Sequence, residues 1–335
     1  MTRVLVTGGA GFIGSNFIRL LLSGPREYQV INLDKLTYAG NLANLADLEQ
    51  NPNYQFVQGD IADAKIVETV AAEVDVIVNF AAETHVDRSI GNPNDFLSTD
   101  IFGVFVLLEA VRKYNIKRFI QISTDEVYGE AGDEVSTEQS PLMPKSPYAA
   151  SKAGGDRLAF SYFTTYNTPV VITRCTNNYG PYQYPEKMIP LFVTNALEDK
   201  PLPVYGDGLN TRDWVYVNDH AAAIERLIHE PHIVGEVFNI GSNREVSVLE
   251  MASTILEVLD KPKSLIEYVQ DRPGHVKRHA VDVSKLEMAL DWQPQYNFDI
   301  AIRETVLWYK EHPEWWQPIK SGEFREYYQR QYQAR

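Results

Sequence analysis

Val4-Leu5-Val6-Thr7 runs directly into Gly8-Gly9-Ala10-Gly11-Phe12-Ile13-Gly14, and apolar residues then continue with helical spacing to Leu22. The first four residues read as a buried strand, and the glycines after them open a helix. Glycine at Gly8, Gly11 and Gly14 permits a tight turn, close approach of backbone to a ligand, and close packing of helix on strand. A helix that begins there points its free N–H groups at an anion such as a pyrophosphate. The second strand, Gln29 to Asp34, ends in a carboxylate 20 residues after Gly14. A carboxylate in that position accepts hydrogen bonds from an adenosine ribose and repels the extra phosphate of NADP, so the expected cofactor is NAD. Asp60, after the third strand, is expected near the adenine by the same strand-end logic.

Outward from this unit the rhythm continues. Strands at 54–57, 75–79, 118–124 and 170–174 alternate with helices at 96–114 and 148–166. Strands that are apolar almost throughout, separated by helices, imply a parallel sheet covered on both faces. The expected fold class is α/β: a Rossmann-type doubly wound parallel sheet with a smaller mixed α/β substrate-binding region. After Asn177 prolines at 181, 185, 190, 201 and 203 break the alternation. The expected division is 1–176 for the dinucleotide, with a return segment near 214–241, and 177–335 for the substrate, partly interleaved. The aromatic and charged tail from Trp315 is expected to be a packing segment.

The chain has 335 residues, 45 acidic and 31 basic, for a formal charge of −14. That balance disfavours nucleic acid, which requires a basic face. No window approaches the ~20 apolar residues that span a bilayer, and the N-terminus does not read as a signal peptide. The single cysteine, Cys175, fits a reducing compartment and a cytoplasmic enzyme. It reads as a small buried side chain. An anionic ligand would need local cations.

Tyr148 and Lys152 stand at i and i+4, on one helix face. An ammonium and a positive nicotinamide ring both favour a phenolate, bringing a tyrosine toward use as a base. Thr124-Asp125-Glu126 follows the fifth strand at the carboxyl edge of the sheet, where ligands of such folds bind. Two adjacent carboxyl groups, one protonated and one ionised, suit elimination of water beside a ketone.

These segments carry a family resemblance. TGGAGFIG at 7–14, Tyr148 with Lys152, NNYGPYQ at 177–183 and RDWVYVND at 212–219 resemble the extended short-chain dehydrogenase/reductase superfamily. Within it, LTYAGN at 36–41, AAETHVDRSI at 81–90, STDEVYG at 123–129 and YPEKMIP at 184–190 resemble the dTDP-glucose 4,6-dehydratases. The resemblance implies tightly held NAD, a nucleotide-diphosphate sugar such as dTDP-glucose, and a homodimer formed through helices of the first domain. It implies Asp125 as acid, Glu126 as base, and Tyr148 assisted by Lys152 and Thr124 at C4. Around NAD it places Gly8, Gly11, Phe12, Ile13, Gly14, Asp34, Lys35, Thr37, Asp60, Ile61, Ala81, Thr99, Tyr148 and Lys152. Around the substrate it places Thr84, Asn177, Glu186, Lys187, Tyr205, Arg212, Arg272, His275 and Tyr296. No metal is called for, because His275 and His279 lack a third ligand in the sequence.

The chain departs from that pattern at Val276, where the family commonly has an acid, and His279, where it commonly has tyrosine. It also lacks the asparagine expected before the helix at 248. UDP-glucose therefore stays an alternative substrate. A nucleotide-sugar 4-epimerase would share the NAD site, Tyr148 and Lys152 without needing Asp125 and Glu126. A decarboxylase would want a further cation, and a silent NAD-binding scaffold would not need Tyr148 and Lys152.

Overall fold

The computed structural model describes residues 1–271, 275–321 and 328. Its first half contains β1 (Thr2–Thr7), α1 (Phe12–Ser23), β2 (Tyr28–Asp34), β3 (Tyr54–Gln58), α2 (Ala64–Ala71) and β4 (Val76–Asn79). Next come α3 (Val86–Gly91), α4 (Asn94–Leu97), α5 (Val104–Tyr114), β5 (Arg118–Thr124), α6 (Pro147–Tyr166) and β6 (Val170–Cys175). The second half holds β7 (Asn177–Tyr179), α7 (Met188–Leu197), β8 (Leu202–Tyr205), β9 (Thr211–Tyr216), α8 (Val217–His229), β10 (Val237–Ile240) and β11 (Glu245–Ser247). It ends with α9 (Val248–Val258), β12 (Ile266–Val269), β13 (Arg278–His279), α10 (Ser284–Leu290), α11 (Phe298–Glu311) and α12 (Pro313–Ile319).

Seven parallel strands form the main sheet in the order β10-β6-β5-β4-β1-β2-β3. The side chains of β1 alternate between its faces, as strand geometry requires. Val4 and Val6 join Phe17, Ile224 and Leu227 in one buried cluster, while Leu5 joins Leu107, Phe119 and Ala159 in another. Both faces are therefore covered, and polar side chains within the strands are buried and paired, as where Asn79 donates to Gln121 at 2.9 Å. Chain order reverses between β1 and β4. That switch point opens a crevice at the carboxyl ends of the strands. The return of the chain after residue 214 supplies α8, which packs against α1, and β10, which pairs with β6.

The second half has its own core, built on Phe192, Trp214, Met251, Ile302 and Tyr309. There β9 pairs with β7, β11 and β13, and β8 pairs with β12. Trp316 is buried and donates to the Tyr309 carbonyl at 2.7 Å, while Trp315 donates to Asn44 at 2.8 Å. The start of the tail thus packs as expected, whereas 322–327 and 329–335 lie outside the described residues.

One element differs from the periodicity. Residues 96–114 do not make one regular helix: a π-helical turn over Ser98–Gly103 joins α4 to α5. The wide turn leaves Asp100 buried, where it accepts from the Ser151 hydroxyl (2.6 Å) and the Glu83 N–H (3.1 Å). Inserted turns of this kind often occur at functional sites.

Candidate active site

The crevice at the switch point is a cleft of about 410 Å³ that runs from the glycine turn to β8 and β9. Its first end is shaped by what is missing from side chains. Gly8 has φ +69°, and a Cβ there would sit 2.6 Å from the Ala81 nitrogen. A Cβ on Gly14 would sit 2.4 Å from the Gly8 carbonyl oxygen, so only glycine lets α1 start this close to β1. Gly11 begins α1 with no side chain capping it, and Gly11, Phe12 and Ile13 line the cleft with the open end of the helix. Asp34 is buried at the end of β2, its carboxylate accepting from the Ala10 and Leu36 N–H groups at 2.9 and 2.8 Å. Lys35, Thr37, Asp60, Ile61, Ala81 and Thr99 line the same end, with Lys35 paired to Asp60 at 2.7 Å. A glycine cradle, an open helix start and a buried strand-end carboxylate together fit a dinucleotide of the NAD type.

At the middle of the cleft β5 ends in Thr124, and a single 3₁₀ turn carries Asp125 and Glu126. The Asp125 carboxyl is 3% exposed. Burial first, then the neighbouring Glu126, pushes it up to about 8, with Arg212 pulling the other way. At neutral pH it is therefore a protonated acid beside a second carboxyl group, the division that elimination requires. The Thr124 hydroxyl donates to Asp125 Oδ1 at 3.2 Å and accepts the Glu126 N–H at 3.3 Å. Tyr148 and Lys152 approach from α6, one turn apart. Lys152 Nζ is fixed on the Ile122 carbonyl at 2.7 Å.

One expectation about Tyr148 is modified. Among the protein's own groups desolvation dominates, and with Glu126, Cys175 and Asp100 it holds the phenol well above its usual range. A hydrogen bond with Thr124 acts in the opposite direction. Lys152 alone does not make Tyr148 a phenolate, and the positive nicotinamide ring is the other cation that favours one.

The far end collects Thr84, Asn177, Glu186, Lys187, Tyr205, Arg212 and His275. Lys187 donates to the Thr84 carbonyl, and Arg212 donates to the Val276 carbonyl at 2.9 Å. Carboxylates outnumber cations along the lining, but several are engaged: Asp60 by Lys35, Glu186 by Arg88, and Asp34 by backbone N–H groups. Two expected substrate residues are not placed there. Tyr296 is absent from the cleft lining. Its ring packs on Tyr216 with centroids 4.6 Å apart, and its N–H is held by Asp219 at the start of α8. Arg272 lies outside the described residues. The divergent Val276 and His279 are both buried, and Val276 meets Arg212 through its backbone oxygen.

Several residues at the site carry no role in the sequence reading. Arg88 bonds Glu186 through Nε and NH2 and lies over the Tyr38 ring, 3.8 Å from its centroid. Glu83 lines the cleft, and burial with Asp100 nearby pushes its carboxyl up to about 7. Asp100, pushed up to about 6 by burial, had a legible signal. It stands between Phe96 and Val104 on the apolar side of a helical pattern, where a charge is out of place.

Comparison with known proteins places this geometry in a class. Residues 5–305 match the family model described as GDP-mannose 4,6 dehydratase. The chain belongs to that family, within the extended short-chain dehydrogenases/reductases. It is 46% identical to the dTDP-glucose 4,6-dehydratase of Neisseria meningitidis serogroup B, over 97% of this chain and 98% of that one. It is 49% identical to the enzyme of the same name from Streptomyces niveus, over 95% and 96%. The crystal structure of DesIV, the dTDP-glucose 4,6-dehydratase of Streptomyces venezuelae, with NAD bound, superposes with a TM-score of 0.93. That match has 48% identity and covers 95% of this chain and all of the other.

Proposed function

We propose that the chain dehydrates dTDP-glucose to dTDP-4-keto-6-deoxyglucose, a step of deoxysugar biosynthesis, as an NAD-dependent hydro-lyase. The observation that carries this reading is the buried, protonated Asp125 beside Glu126, in the same cleft as Tyr148 and Thr124. A 4-epimerase has no use for such a pair.

Bound NAD supplies a hydride acceptor at C4 of the sugar and a donor at C6. We assign its binding to Gly8, the Gly11–Gly14 turn, Asp34, Lys35, Thr37, Asp60, Ile61, Ala81 and Thr99, with Tyr148 and Lys152 at the nicotinamide. Tyr148 takes the proton of the C4 hydroxyl, with Thr124 donating to the developing phenolate. The C4 ketone makes the C5 proton acidic, and Glu126 removes it. Asp125 gives its proton to the C6 hydroxyl, which departs as water. Glu126 then returns a proton to C5. Lys187, Arg212 and His275 surround the diphosphate in this reading, arginine with a planar fork suited to two phosphate oxygens. Thr84 is assigned to the glucose, and Asn177, Glu186 and Tyr205 to the nucleoside.

The proposed division of labour follows the two cores, with 1–176 and the 214–241 return holding NAD and the remainder of 177–335 holding the sugar nucleotide. We further propose a homodimer through α5 and α6. Leu97, Phe102, Phe105 and Tyr166 on and beside these helices are exposed apolar residues. The cytoplasm is the proposed location, supported by one buried, unpaired cysteine. Among the described residues no helix is long and apolar enough to cross a membrane. Product analysis after incubation with dTDP-glucose tests the reaction: loss of water is expected, and recovery of the C4 epimer with no water lost would overturn it. Competition between dTDP- and UDP-glucose tests the nucleotide, with dTDP-glucose expected to be preferred.

A further inference from the structure

The proposed dehydration, on which this inference rests, sets a geometric demand. Tyr148 and Lys152 work at C4 of the sugar and come from α6. Asp125 and Glu126 work at C6 and C5 and come from the turn after β5. One bound sugar must meet both pairs, so the turn has to be held at a fixed distance from the helix. The Asp125 carboxyl does not anchor itself to α6. Its Oδ1 accepts from Thr124, the residue before it, at 3.2 Å, and its Oδ2 is buried without a hydrogen bond among the described residues. The backbone of the turn therefore sets where the acid stands.

That turn ends at Tyr128, a buried side chain. The Tyr128 hydroxyl donates to Asn239 Oδ1 in β10 at 2.7 Å and accepts from Arg174 NH1 in β6 at 2.9 Å. Asn239 is fixed in turn by the chain, its Nδ2 donating to the Ser136 and Asp282 carbonyls at 3.2 and 3.1 Å. Arg174 has a second grip. Its Nε and NH2 donate to the two oxygens of Asp156 at 2.8 and 3.1 Å. Asp156 follows Lys152 by four residues, one turn further along the same face of α6. One buried guanidinium thus spans from the helix of Tyr148 and Lys152 to the end of the turn that carries Asp125 and Glu126. A planar fork with donors on several edges can bridge two fixed partners in this way, and a single ammonium cannot reproduce it. Tyr128, Arg174, Asp156 and Asn239 are all absent from the cleft lining, so they act on the sugar only through other residues.

We propose that Arg174 and Tyr128 are positioning residues that hold the acid–base pair of the elimination in register with the Tyr148–Lys152 pair of the oxidation. Loss of the Tyr128 hydroxyl uncouples the turn from α6. The oxidising pair keeps its own supports, because Lys152 Nζ stays on the Ile122 carbonyl at 2.7 Å and Asp156 keeps both of its arginines. Asp125 and Glu126 then meet C6 and C5 less accurately, and a misplacement of about 1 Å at reacting groups costs on the order of 10²-fold. The defect therefore falls on elimination.

The test follows reduced cofactor after rapid mixing of the holoenzyme with dTDP-glucose, in wild type, Tyr128→Phe, Arg174→Lys and the double variant. Tyr128→Phe keeps the ring and should slow elimination about ten- to hundredfold with C4 oxidation within about twofold, so that reduced cofactor accumulates. Arg174→Lys keeps a cation for Asp156 without the fork for Tyr128 and should show the same split. Both variants remove one link, so the double variant should eliminate no more slowly than the slower single one. Equal slowing of both steps, an unchanged elimination rate, or slowing factors that multiply in the double variant would overturn the proposal. The Met143 N–H on the Val127 carbonyl at 2.9 Å still fastens the turn in Tyr128→Phe. Should that variant nevertheless fail to fold, the split in Arg174→Lys decides. Trp316→Phe, buried outside the cleft and stripped of its bond to the Tyr309 carbonyl, controls for stability alone. Its ratio of the two steps should match wild type, and an equal split there would overturn the proposal. Asp125→Asn separates the two levels of failure. Reduced cofactor that accumulates in Asp125→Asn and not in Tyr128→Phe sinks the positioning role alone, and accumulation in neither sinks the underlying assignment of the acid as well.

Discussion

Asp125→Asn separates the two halves of the chemistry. The carboxyl moves from its ordinary 3.8 to about 8 on folding, chiefly because burial penalises the charge. At about 1.4 kcal/mol per pH unit, this corresponds to about 5–6 kcal/mol against the ionised form. At pH 7 about nine molecules in ten therefore hold the proton that the C6 hydroxyl needs, and about one in ten at pH 9. Asparagine keeps the shape and removes the acid. Elimination should slow by about 10²–10⁴, the usual contribution of a general acid, while C4 oxidation changes little. Rapid mixing with dTDP-glucose should show the near-ultraviolet signal of reduced cofactor rising at nearly the normal rate and then persisting. The wild-type elimination rate should fall about tenfold per pH unit above about 8.

The same substitution carries a stability prediction with a definite sign. The folded carboxyl keeps its proton to higher pH than the unfolded one. Stability from this group is therefore full below about pH 4, declines up to about pH 8, and is then flat. Asparagine does not titrate, so the Tm advantage of Asp125→Asn over wild type should widen between pH 5 and pH 8 and stay constant above. Equal loss of both chemical steps, or a Tm difference independent of pH, would refute the assignment of Asp125 as a buried acid.

Gly14→Ala should weaken NAD binding about ten- to hundredfold in a calorimetric titration, matching about 1–3 kcal/mol of overpacking against the Gly8 carbonyl; unchanged affinity would mean that the turn adapts. Arg174→Met removes the buried one of the two arginines bonded to Asp156, a pair 2% and 0% exposed at 2.8 Å, and leaves Arg157 on the same carboxylate at 2.5 Å. Because Arg157 stays, urea unfolding should show a loss of about 1–3 kcal/mol, below the cost of a fully unpaired buried charge; an unchanged stability would mean that Arg157 alone satisfies Asp156. Phe102→Glu with Phe105→Glu should convert the proposed dimer to a monomer by light scattering, and an unchanged dimer mass would move the interface elsewhere.

The nucleotide fold was legible because its causes are local. The strand of Val4–Thr7, the glycines and Asp34 are set by sterics and hydrogen bonding within one βαβ unit, and period and spacing report both. Asp125 and Glu126 were legible because a strand end in a parallel sheet has only one place to point. What escaped depends on contacts between distant segments. Arg88 meets Glu186 across nearly a hundred residues, and the wide turn around Asp100 depends on Ser151 from another helix. Tyr296 resembled a nucleoside contact in sequence, yet its neighbours Tyr216 and Asp219 hold it outside the cleft. Spacing along the chain cannot report such partners.

The reaction as a whole is tested most directly by following one atom. dTDP-glucose carrying deuterium at C4 should yield dTDP-4-keto-6-deoxyglucose with that deuterium at C6, because the hydride returns within the same closed site. Deuterium retained at C4 in an epimerised sugar, or lost to solvent, would contradict the proposed dehydration.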